Sequence, residues 1–299
     1  MLAAGNAKTM KVLEALRLAE GYLAGRGIES ARLSAEHLLA KCLKCSRLDL
    51  YLRFDRDLAP DVVGRYREDL KVRGTHYPLQ YILGEIEFMS LPFKVREGVF
   101  IPRPETELLV EWIEELVGDV PAKSFIEFGV GSGVISGSLC RRHSGWKGCA
   151  IDISPVAVAL AKENFEALGV SDRMSVFVAD GLRALGAERR YDLLVANPPY
   201  IPAAEIPALE AEVLRYEAPA ALDGGVDGTD FYPFLSREAI RLLVPGGLVA
   251  FEIGHGQAGP TCAVCERSGL ERISMRKDYN GLERMVTAYV PDAKDAGDG

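Results

Sequence analysis

The spacing of hydrophobic residues predicts helices without strands in the first part of the chain. Between residue 8 and about residue 75, apolar residues recur at helical spacing, as in residues 11–18. Ser34 is placed to cap a helix that starts at Ala35, and Pro60 lies near the start of a helix that extends to about Val72. Residues 1–76 are therefore predicted to form a small helical bundle domain.

Strand-like patterns begin after this bundle. Residues 77–101 are predicted to be a linker with a β-hairpin, because apolar residues surround Pro92; these are Phe88, Leu91, Phe93 and Val95. Residues 102–290 begin with a helix over residues 106–116 and then alternate short apolar runs with helical patterns. This alternation predicts an α/β fold with a mostly parallel sheet and right-handed crossovers.

The end of the chain carries a hairpin signal. Residues 270–276 and 282–289 are predicted to be paired strands, because Asn280-Gly281 between them favours a tight turn. Residues 291–299 have little apolar content to bury and are expected to be disordered.

A glycine-rich turn follows the strand-like run of residues 124–128. It precedes a helix-compatible segment and consists of Gly129, Val130, Gly131, Ser132 and Gly133. Glycines let the backbone approach a ligand closely and adopt conformations that are closed to other residues. The G-x-G-x-G spacing, with Glu127 two positions before the first glycine, differs from the G-x-G-x-x-G spacing of dinucleotide sites. It suits a cofactor without phosphate and argues against a dehydrogenase.

The next two apolar runs lead to acidic residues. Asp152 follows residues 148–151 and is placed to hydrogen-bond ribose hydroxyls. The run over residues 174–178 leads to Asp180-Gly181. Ligands of open α/β sheets bind beyond the carboxyl ends of the strands, so these residues are candidates for the same crevice.

A fourth strand end carries Asn197-Pro198-Pro199-Tyr200, directly after the apolar residues 193–196. The Asn197 side-chain oxygen and the Pro198 carbonyl could each accept one hydrogen from a planar NH2 group, and Tyr200 offers a ring face for stacking. The alternative is a proline-rich turn that merely ends a strand. Taken alone, this motif favours neither interpretation.

These motifs together resemble the HemK/PrmC family of class I S-adenosylmethionine-dependent methyltransferases, the protein-(glutamine-N5) methyltransferases that modify peptide chain release factors. The resemblance covers most of the chain and includes, besides the two turns, residues 78–84, 99–107, 251–254 and 277–284. The combination of the segment Pro102-Arg103-Pro104-Glu105-Thr106-Glu107 with the Asn-Pro-Pro-Tyr turn is the specific part. One departure is Glu127, which stands where the family more often has Asp.

The resemblance implies a Rossmann-like seven-stranded methyltransferase sheet, mostly parallel with an antiparallel C-terminal hairpin, and an N-terminal helical domain that docks the substrate. It implies S-adenosylmethionine as cofactor and S-adenosylhomocysteine as its product. The catalytic residues are expected to be Asn197, Pro198 and Tyr200, and Pro199 is expected to contact the substrate with them. The expected cofactor-binding residues are Phe100, Glu127, Gly129, Val130, Gly131, Ser132, Gly133, Asp152, Ile153, Asp180, Gly181 and Asn197.

The implied partner is a peptide chain release factor, which would be methylated on the glutamine of its Gly-Gly-Gln loop. We expect no direct binding of nucleic acid or membrane, no metal, and a monomer. With 299 residues, of which 48% are hydrophobic and 26% charged, the chain has the composition of an ordinary soluble protein. No transmembrane span or signal-peptide pattern is visible, so a cytoplasmic location is expected.

Two rival functions would use parts of the same pattern. Adenine N6 also presents a planar NH2 group, and nucleic-acid adenine methyltransferases grip a flipped base with a similar turn. Such an enzyme needs a basic groove, whereas this chain has a net charge of -8 and only its first 75 residues are mildly basic. A nonenzymatic cofactor-binding module has no reason to carry both turns at strand ends of one sheet.

The cysteines suggest a further alternative. Cys42 and Cys45, like Cys262 and Cys265, form C-x-x-C pairs, and two such pairs can make a zinc site. Both pairs fall in helix-like segments of different predicted domains, which favours a role in packing. Disulfides are not expected in the cytosol. The histidines lack metal-ligand spacing. His255 lies nearest a predicted strand end and is the one histidine that stays a candidate functional residue.

Overall fold

The computed structural model describes residues 10–186 and 190–292. Contacts between residues divide the chain into two compact units. The first consists of Met1–Glu85 with Ala211–Tyr216, and the second consists of Ile86–Glu210 with Glu217–Gly299. The domain boundaries placed at residues 76, 101 and 290 stay predictions.

Helices form where the hydrophobic spacing predicts them and also between the strands of the second unit. In chain order they are α1 (Val12–Ala24), α2 (Ala31–Leu43), α3 (Arg47–Leu52), α4 (Pro60–Arg73), α5 (Leu79–Leu83), α6 (Glu105–Val117), α7 (Val134–Arg142), α8 (Pro155–Leu168), α9 (Ala211–Tyr216), α10 (Phe231–Leu242) and α11 (Ala258–Arg267). The predicted start at Pro60 is confirmed. The prediction that Ser34 caps a helix is wrong, because α2 begins at Ala31 and Ser34 lies inside it. There the buried Ser34 hydroxyl accepts a hydrogen bond from Arg73 Nε at 3.3 Å.

The first unit has its own hydrophobic core, built from α1, α2 and α4. Its most deeply buried side chains include Val12, Leu16, Leu23, Leu38, Leu39 and Tyr66. The buried Glu36 of α2 holds α3 in place, since its carboxylate accepts from Arg47 Nη2 at 2.9 Å and from Tyr51 Oη at 2.6 Å. Burial raises the pKa of Glu36, but hydrogen bonds from Tyr51, Arg32 and Arg47 outweigh burial and set the pKa at about 2. Polar contacts therefore fix α3.

The predicted β-hairpin is present as a two-stranded sheet of β1 (Glu85–Phe88) and β2 (Leu91–Lys94). Its turn is made by Met89 and Ser90, whose φ angles of 51° and 60° lie in the left-handed region that tight hairpin turns require. Pro92 lies within β2 rather than in the turn. The rings of Phe88 and Phe93 pack edge to face, with centroids 6.1 Å apart.

The second unit is organised by a seven-stranded sheet with the order β5-β4-β3-β6-β7-β9-β8. Its strands are β3 (Ser124–Phe128), β4 (Lys147–Asp152), β5 (Met174–Val178), β6 (Tyr191–Ala196), β7 (Leu243–Glu252), β8 (Glu271–Lys277) and β9 (Glu283–Tyr289). The pairs from β5 to β7 are parallel, and β9 is antiparallel to both β7 and β8. The predicted mostly parallel sheet with an antiparallel C-terminal hairpin is confirmed.

The middle of this sheet is buried on both faces. Along β6, Leu193 and Val195 pack into one core, and Leu194 and Ala196 pack into the other. Helices α6, α7 and α8 contribute to the first core, and α10 and α11 contribute to the second. Because neither face of the central strands is open to water, polar chemistry is confined to the strand ends.

Three of the four cysteines in the C-x-x-C pairs lie in helices. Cys42 is in α2, and Cys262 and Cys265 are in α11. The expectation of a helix is wrong for Cys45, because α2 ends before Lys44, which takes a left-handed conformation. Within the described ranges, no group of three or more potential metal ligands is placed to hold an ion. No helix in residues 10–186 and 190–292 is long and apolar enough to cross a membrane. Of the tail predicted to be disordered, residues 293–299 lie outside the described residues.

A buried carboxyl group joins β3 to the start of α7. Glu127 is 1% exposed and accepts from Ser136 N at 3.1 Å and from the Ser136 hydroxyl. Ser136 is the third residue of α7, so its N–H is one of the donors that a helix cannot satisfy internally. Burial raises the pKa of Glu127 to about 8, although the bonds from Ser136 act in the opposite direction.

We expect the free energy of unfolding to decrease as the pH rises from about 5 to about 8, because folded Glu127 keeps its proton over this range while the unfolded chain has lost it. The expected change is on the order of 1–3 kcal/mol. Urea unfolding of the wild type and of Glu127→Gln measures it. Burial lowers the pKa of His37, so His37 increases the free energy of unfolding as the pH rises. This contribution is the same in both proteins, and the difference between their pH dependences therefore isolates Glu127. An identical pH dependence in both proteins would contradict a raised Glu127 pKa.

Candidate active site

The glycine turn between β3 and α7 has the backbone that its sequence predicts. Gly129, Gly131 and Gly133 have φ angles of 75°, 54° and 82°, in a region that L side chains rarely adopt. At Gly133 there is also no space, since an added Cβ would lie 2.7 Å from the ring of Phe165. The buried Ser132 hydroxyl finds no hydrogen-bond partner among the described residues. An unpaired buried hydroxyl in a glycine turn is consistent with a site for a ligand.

Asp152 lies at the end of β4 and faces this turn. One carboxylate oxygen accepts from Gly131 N at 2.9 Å, and the other accepts from Ser154 N at 2.8 Å. Burial raises the pKa of Asp152, and these backbone donors oppose that effect. A carboxylate has about four acceptor sites, so these two bonds leave capacity for ribose hydroxyls. The next residue, Ile153, is 59% exposed and offers apolar surface beside Asp152.

Three further residues are predicted to contact the cofactor, and they are Phe100, Asp180 and Gly181. Asp180 is exposed after β5, and Gly181 has a φ angle of 91°. Phe100 is half-buried, and the guanidinium of Arg103 lies over its ring at 4.8 Å from the centroid. Arg103 in turn donates to the buried carboxylate of Glu217 at 2.6 Å. The ring of Phe100 is therefore held by a cation that is itself anchored.

The Asn-Pro-Pro-Tyr turn follows β6 and lies next to the glycine turn. Parallel pairing aligns Phe128 with Ala196, so the residues after them are neighbours. A Cβ built on Gly129 would lie 4.0 Å from the carbonyl oxygen of Asn197. The two turns that the sequence singled out thus share the carboxyl edge of the sheet, as the parallel topology requires.

Hydrogen bonds to buried side chains hold both ends of this turn. Asn197 Nδ2 donates to Thr106 Oγ1 at 3.2 Å, and Tyr200 Oη donates to Glu252 Oε1 at 3.3 Å. Thr106 Oγ1 donates to Glu252 Oε2 at 2.7 Å. Pro198 is buried and Pro199 is half-buried between these fixed ends. The Tyr200 carbonyl oxygen also accepts from Gln257 Nε2 at 2.7 Å.

Sequence reasoning did not assign a role to Thr106, Glu252 or Gln257. Thr106 and Glu252 were visible only as members of the two family-like segments at residues 99–107 and 251–254. Their position behind the turn comes from tertiary contacts, because 146 positions separate them in the chain. His255, which kept a small functional interest, is exposed beyond the end of β7.

Comparisons with known proteins agree with this arrangement. The family model described as the PrmC N-terminal domain matches residues 14–84, and that of the methyltransferase small domain matches residues 91–225. A release factor glutamine methyltransferase from Geobacter sulfurreducens is 41% identical over 92% of this chain and 94% of its own length. The enzyme of the same name from Moorella thermoacetica is 41% identical over 94% of this chain and 99% of its own length. A third, from Cereibacter sphaeroides, is 37% identical over 95% of this chain and 100% of its own length.

Solved structures support the fold. A methyltransferase from Pyrococcus furiosus matches with a TM-score of 0.50 and 13% identity over 68% of this chain and 90% of that chain. A 16S rRNA methyltransferase from T. Thermophilus matches with a TM-score of 0.50 and 19% identity over 69% of this chain and 49% of that chain. At these identities the likeness shows the sheet architecture, whereas the nearly full-length sequence relatives show the family. The chain belongs to the release factor glutamine methyltransferase family.

Proposed function

We propose that this protein transfers a methyl group from S-adenosylmethionine to the side-chain amide nitrogen of a glutamine in a peptide chain release factor. The observation that carries the proposal is the pair of adjacent turns: a glycine turn whose left-handed backbone lets a ligand approach closely, and an Asn-Pro-Pro-Tyr turn with acceptors for a planar NH2 group. Family membership supports the same reaction. The cytoplasmic location, the monomeric state and the lack of nucleic-acid binding stay predictions.

The residues of the glycine turn fit S-adenosylmethionine. The left-handed glycines allow close approach, the Ser132 hydroxyl has no partner among the described residues, and Asp152 has free acceptor capacity for hydroxyls. Ile153 and Phe100 offer apolar surface for a heterocycle. When bound, this cofactor supplies a methyl group on a positively charged sulfur.

The substrate side presents the harder chemistry. An amide nitrogen is a poor nucleophile because its lone pair is delocalised into the carbonyl group. The Asn197 side-chain oxygen and the Pro198 carbonyl oxygen would each accept one N–H of the substrate amide and fix the nitrogen. As it gained the methyl group, the nitrogen would become positively charged, which would strengthen both hydrogen bonds. The nitrogen would then lose one of its two protons to water, which leaves a neutral N-methyl amide. The site therefore favours the transition state over the bound substrate.

The aromatic ring of Tyr200 would hold the plane of the substrate amide. Its hydroxyl is tied to Glu252, so the ring has a fixed orientation before a substrate arrives. Burial raises the pKa of Tyr200, which keeps the phenol protonated and able to donate. Tyr200 thus acts by position rather than as a base.

The helical first unit offers a surface for the protein substrate. On α3, Leu48 and Leu52 are 69% and 73% exposed, and Phe54 after the helix is 54% exposed. Leu48 and Leu52 are four residues apart and lie on one helix face, while Arg47 and Tyr51 bind the buried Glu36. We propose that this apolar face contacts the release factor.

The cofactor assignment is tested with Asp152→Ala. We expect it to weaken S-adenosylmethionine binding by about 1–3 kcal/mol, the scale for losing a hydrogen bond to a charged group. Isothermal calorimetry measures the affinity, and Asp172→Ala, an exposed position before β5, is the matched control. Unchanged affinity in Asp152→Ala, or tighter binding of NAD by the wild type, would remove the basis for this assignment.

The substrate assignment is tested with Asn197→Ala. We expect kcat to fall roughly a hundredfold or more, because a preorganised group in a water-excluded site is lost, while the KM for S-adenosylmethionine changes less. Asn280→Ala, in the turn between β8 and β9, is the control. Peptide mapping of the product should find one added CH2 on a glutamine side chain. Methylation of adenine, lysine or arginine instead would show that the turn binds a different guest.

The docking surface is tested with the double variant Leu48→Ser and Leu52→Ser. We expect the KM for an intact release factor to increase about tenfold, since fully burying one Leu side chain is worth about 1.5–3 kcal/mol and the variant loses this burial in an interface. Turnover of a short Gly-Gly-Gln peptide should stay the same, because the peptide carries only the reacting loop and lacks the rest of the release factor surface. Val72→Ser, at a 43% exposed position of α4, is the control. An equal effect on peptide and protein substrates would contradict docking at α3.

A further inference from the structure

A buried group of two side chains lies behind the Asn197 amide. Thr106 is 2% exposed and Glu252 is 1% exposed, and both belong to the second unit. We propose that Thr106 and Glu252 are positioning residues that turn the Asn197 amide so that its oxygen, and not its NH2 group, faces the substrate. This inference rests on the proposed function, in which Asn197 accepts a hydrogen bond from the substrate amide.

The direction of each hydrogen bond follows from the number of available protons. A threonine hydroxyl has one proton, and an ionised carboxylate has none. When Glu252 is ionised, Thr106 therefore gives its proton to Glu252 Oε2, at 2.7 Å, and its oxygen can only accept from Asn197. The partner that Asn197 offers is its Nδ2, at 3.2 Å. Because the oxygen and the NH2 group occupy different positions on one planar carbon, the oxygen then points away from Thr106.

The carboxylate of Glu252 also accepts a second hydrogen bond, from Tyr200. The Tyr200 phenol is kept protonated and donates to Glu252 Oε1, while Thr106 occupies Oε2. The first and last residues of the Asn-Pro-Pro-Tyr turn are thus tied, directly or through Thr106, to one side chain at the end of β7. Pairing of Ala196 with Phe251 places that side chain next to the turn.

A protonated Glu252 would reverse the chain of hydrogen bonds. Its proton could be donated to Thr106, whose own proton would then point at Asn197 and attract the amide oxygen. The NH2 group of Asn197 would face the substrate NH2 group, and two donors would oppose each other. The ionised form of Glu252 is therefore the form that sets the catalytic orientation.

The surroundings of Glu252 have opposing effects on its pKa. Burial raises its pKa to about 7, hydrogen bonds from Thr106 and Tyr200 lower it, the charge of Glu105 raises it and that of Arg284 lowers it. An isolated buried carboxylate is costly, and an uncharged side chain would satisfy packing at lower cost. The carboxylate of Glu252 is therefore better explained by its ability to accept two hydrogen bonds, and to donate none, than by a contribution to stability.

The test compares variants of the full chain that change one hydrogen-bonding group each. Thr106→Val removes the hydroxyl with little change in shape, Thr106→Ser keeps it, and Glu252→Gln replaces the double acceptor by an acceptor and a donor. Thr287→Val is the matched control, because Thr287 is 1% exposed and its hydroxyl has no partner in the described part of the chain. S-adenosylmethionine affinity measures whether each variant is folded.

With release factor as substrate, we expect kcat to fall on the order of tenfold to a hundredfold in Thr106→Val and Glu252→Gln, with the KM for S-adenosylmethionine unchanged. Thr106→Ser should recover most of the loss, and Thr287→Val should match the wild type. The wild-type kcat should increase as the pH rises through about 7, and this increase should be absent in Glu252→Gln. Equal activity of Thr106→Val and Thr106→Ser would overturn the inference.

A second readout does not depend on turnover. The NMR signals of the Asn197 side-chain NH2 group can be identified by their loss in Asn197→Ala. Their chemical shifts should change with pH near 7 in the wild type and not in Glu252→Gln. Signals that ignore both pH and the Thr106→Val substitution would overturn the inference even if the enzyme is active. Failure of the wild type to modify glutamine would instead refute the proposed function, and the NMR result would still decide whether Thr106 and Glu252 orient Asn197.

Discussion

The parallel pairing of β3 with β6 is the constraint on which the candidate active site depends. Its register aligns Phe128 with Ala196, so that the glycine turn and the Asn-Pro-Pro-Tyr turn begin side by side. A slip of one residue would displace the two turns by about 3.3 Å and exchange the faces of every β6 side chain. Because the two cores pack against alternate residues of β6, hydrophobic burial enforces the register that the chemistry requires.

The sequence predicted the central strands well because their signals are local. The bounds of β3 and β5 agree with the predicted runs, and the turn signal at Asn280-Gly281 leads to the antiparallel pair β8 and β9. Errors occurred where local signals compete. Ser34 has the side chain of a helix cap, yet the helix starts earlier and Ser34 contacts Arg73, a residue far away in sequence. The return of α9 to the first unit is equally a matter of tertiary contacts.

The candidate site shows the same division. The residues that form local turns, including Asp152 next to the glycines, could be found from spacing alone. Their hydrogen-bond partners could not, since Thr106 and Glu252 come from α6 and β7 and meet the turn only in the folded chain. Glu127 was expected at the cofactor, and the structure shows what else it does: it satisfies the start of α7. Its contact with a cofactor stays a prediction.

The cysteines have a practical consequence for studies of folding. All six thiols are free, and four are buried: Cys42 in the first unit and Cys140, Cys149 and Cys265 in the second. Burial raises the pKa of Cys42 and of Cys265 to about 11 and that of Cys140 to about 12, so the reactive thiolate is scarce at neutral pH. Because these sulfurs are also buried, their alkylation requires the surrounding structure to open. The rate of alkylation at each position is a built-in measure of how often each unit opens, without any added probe.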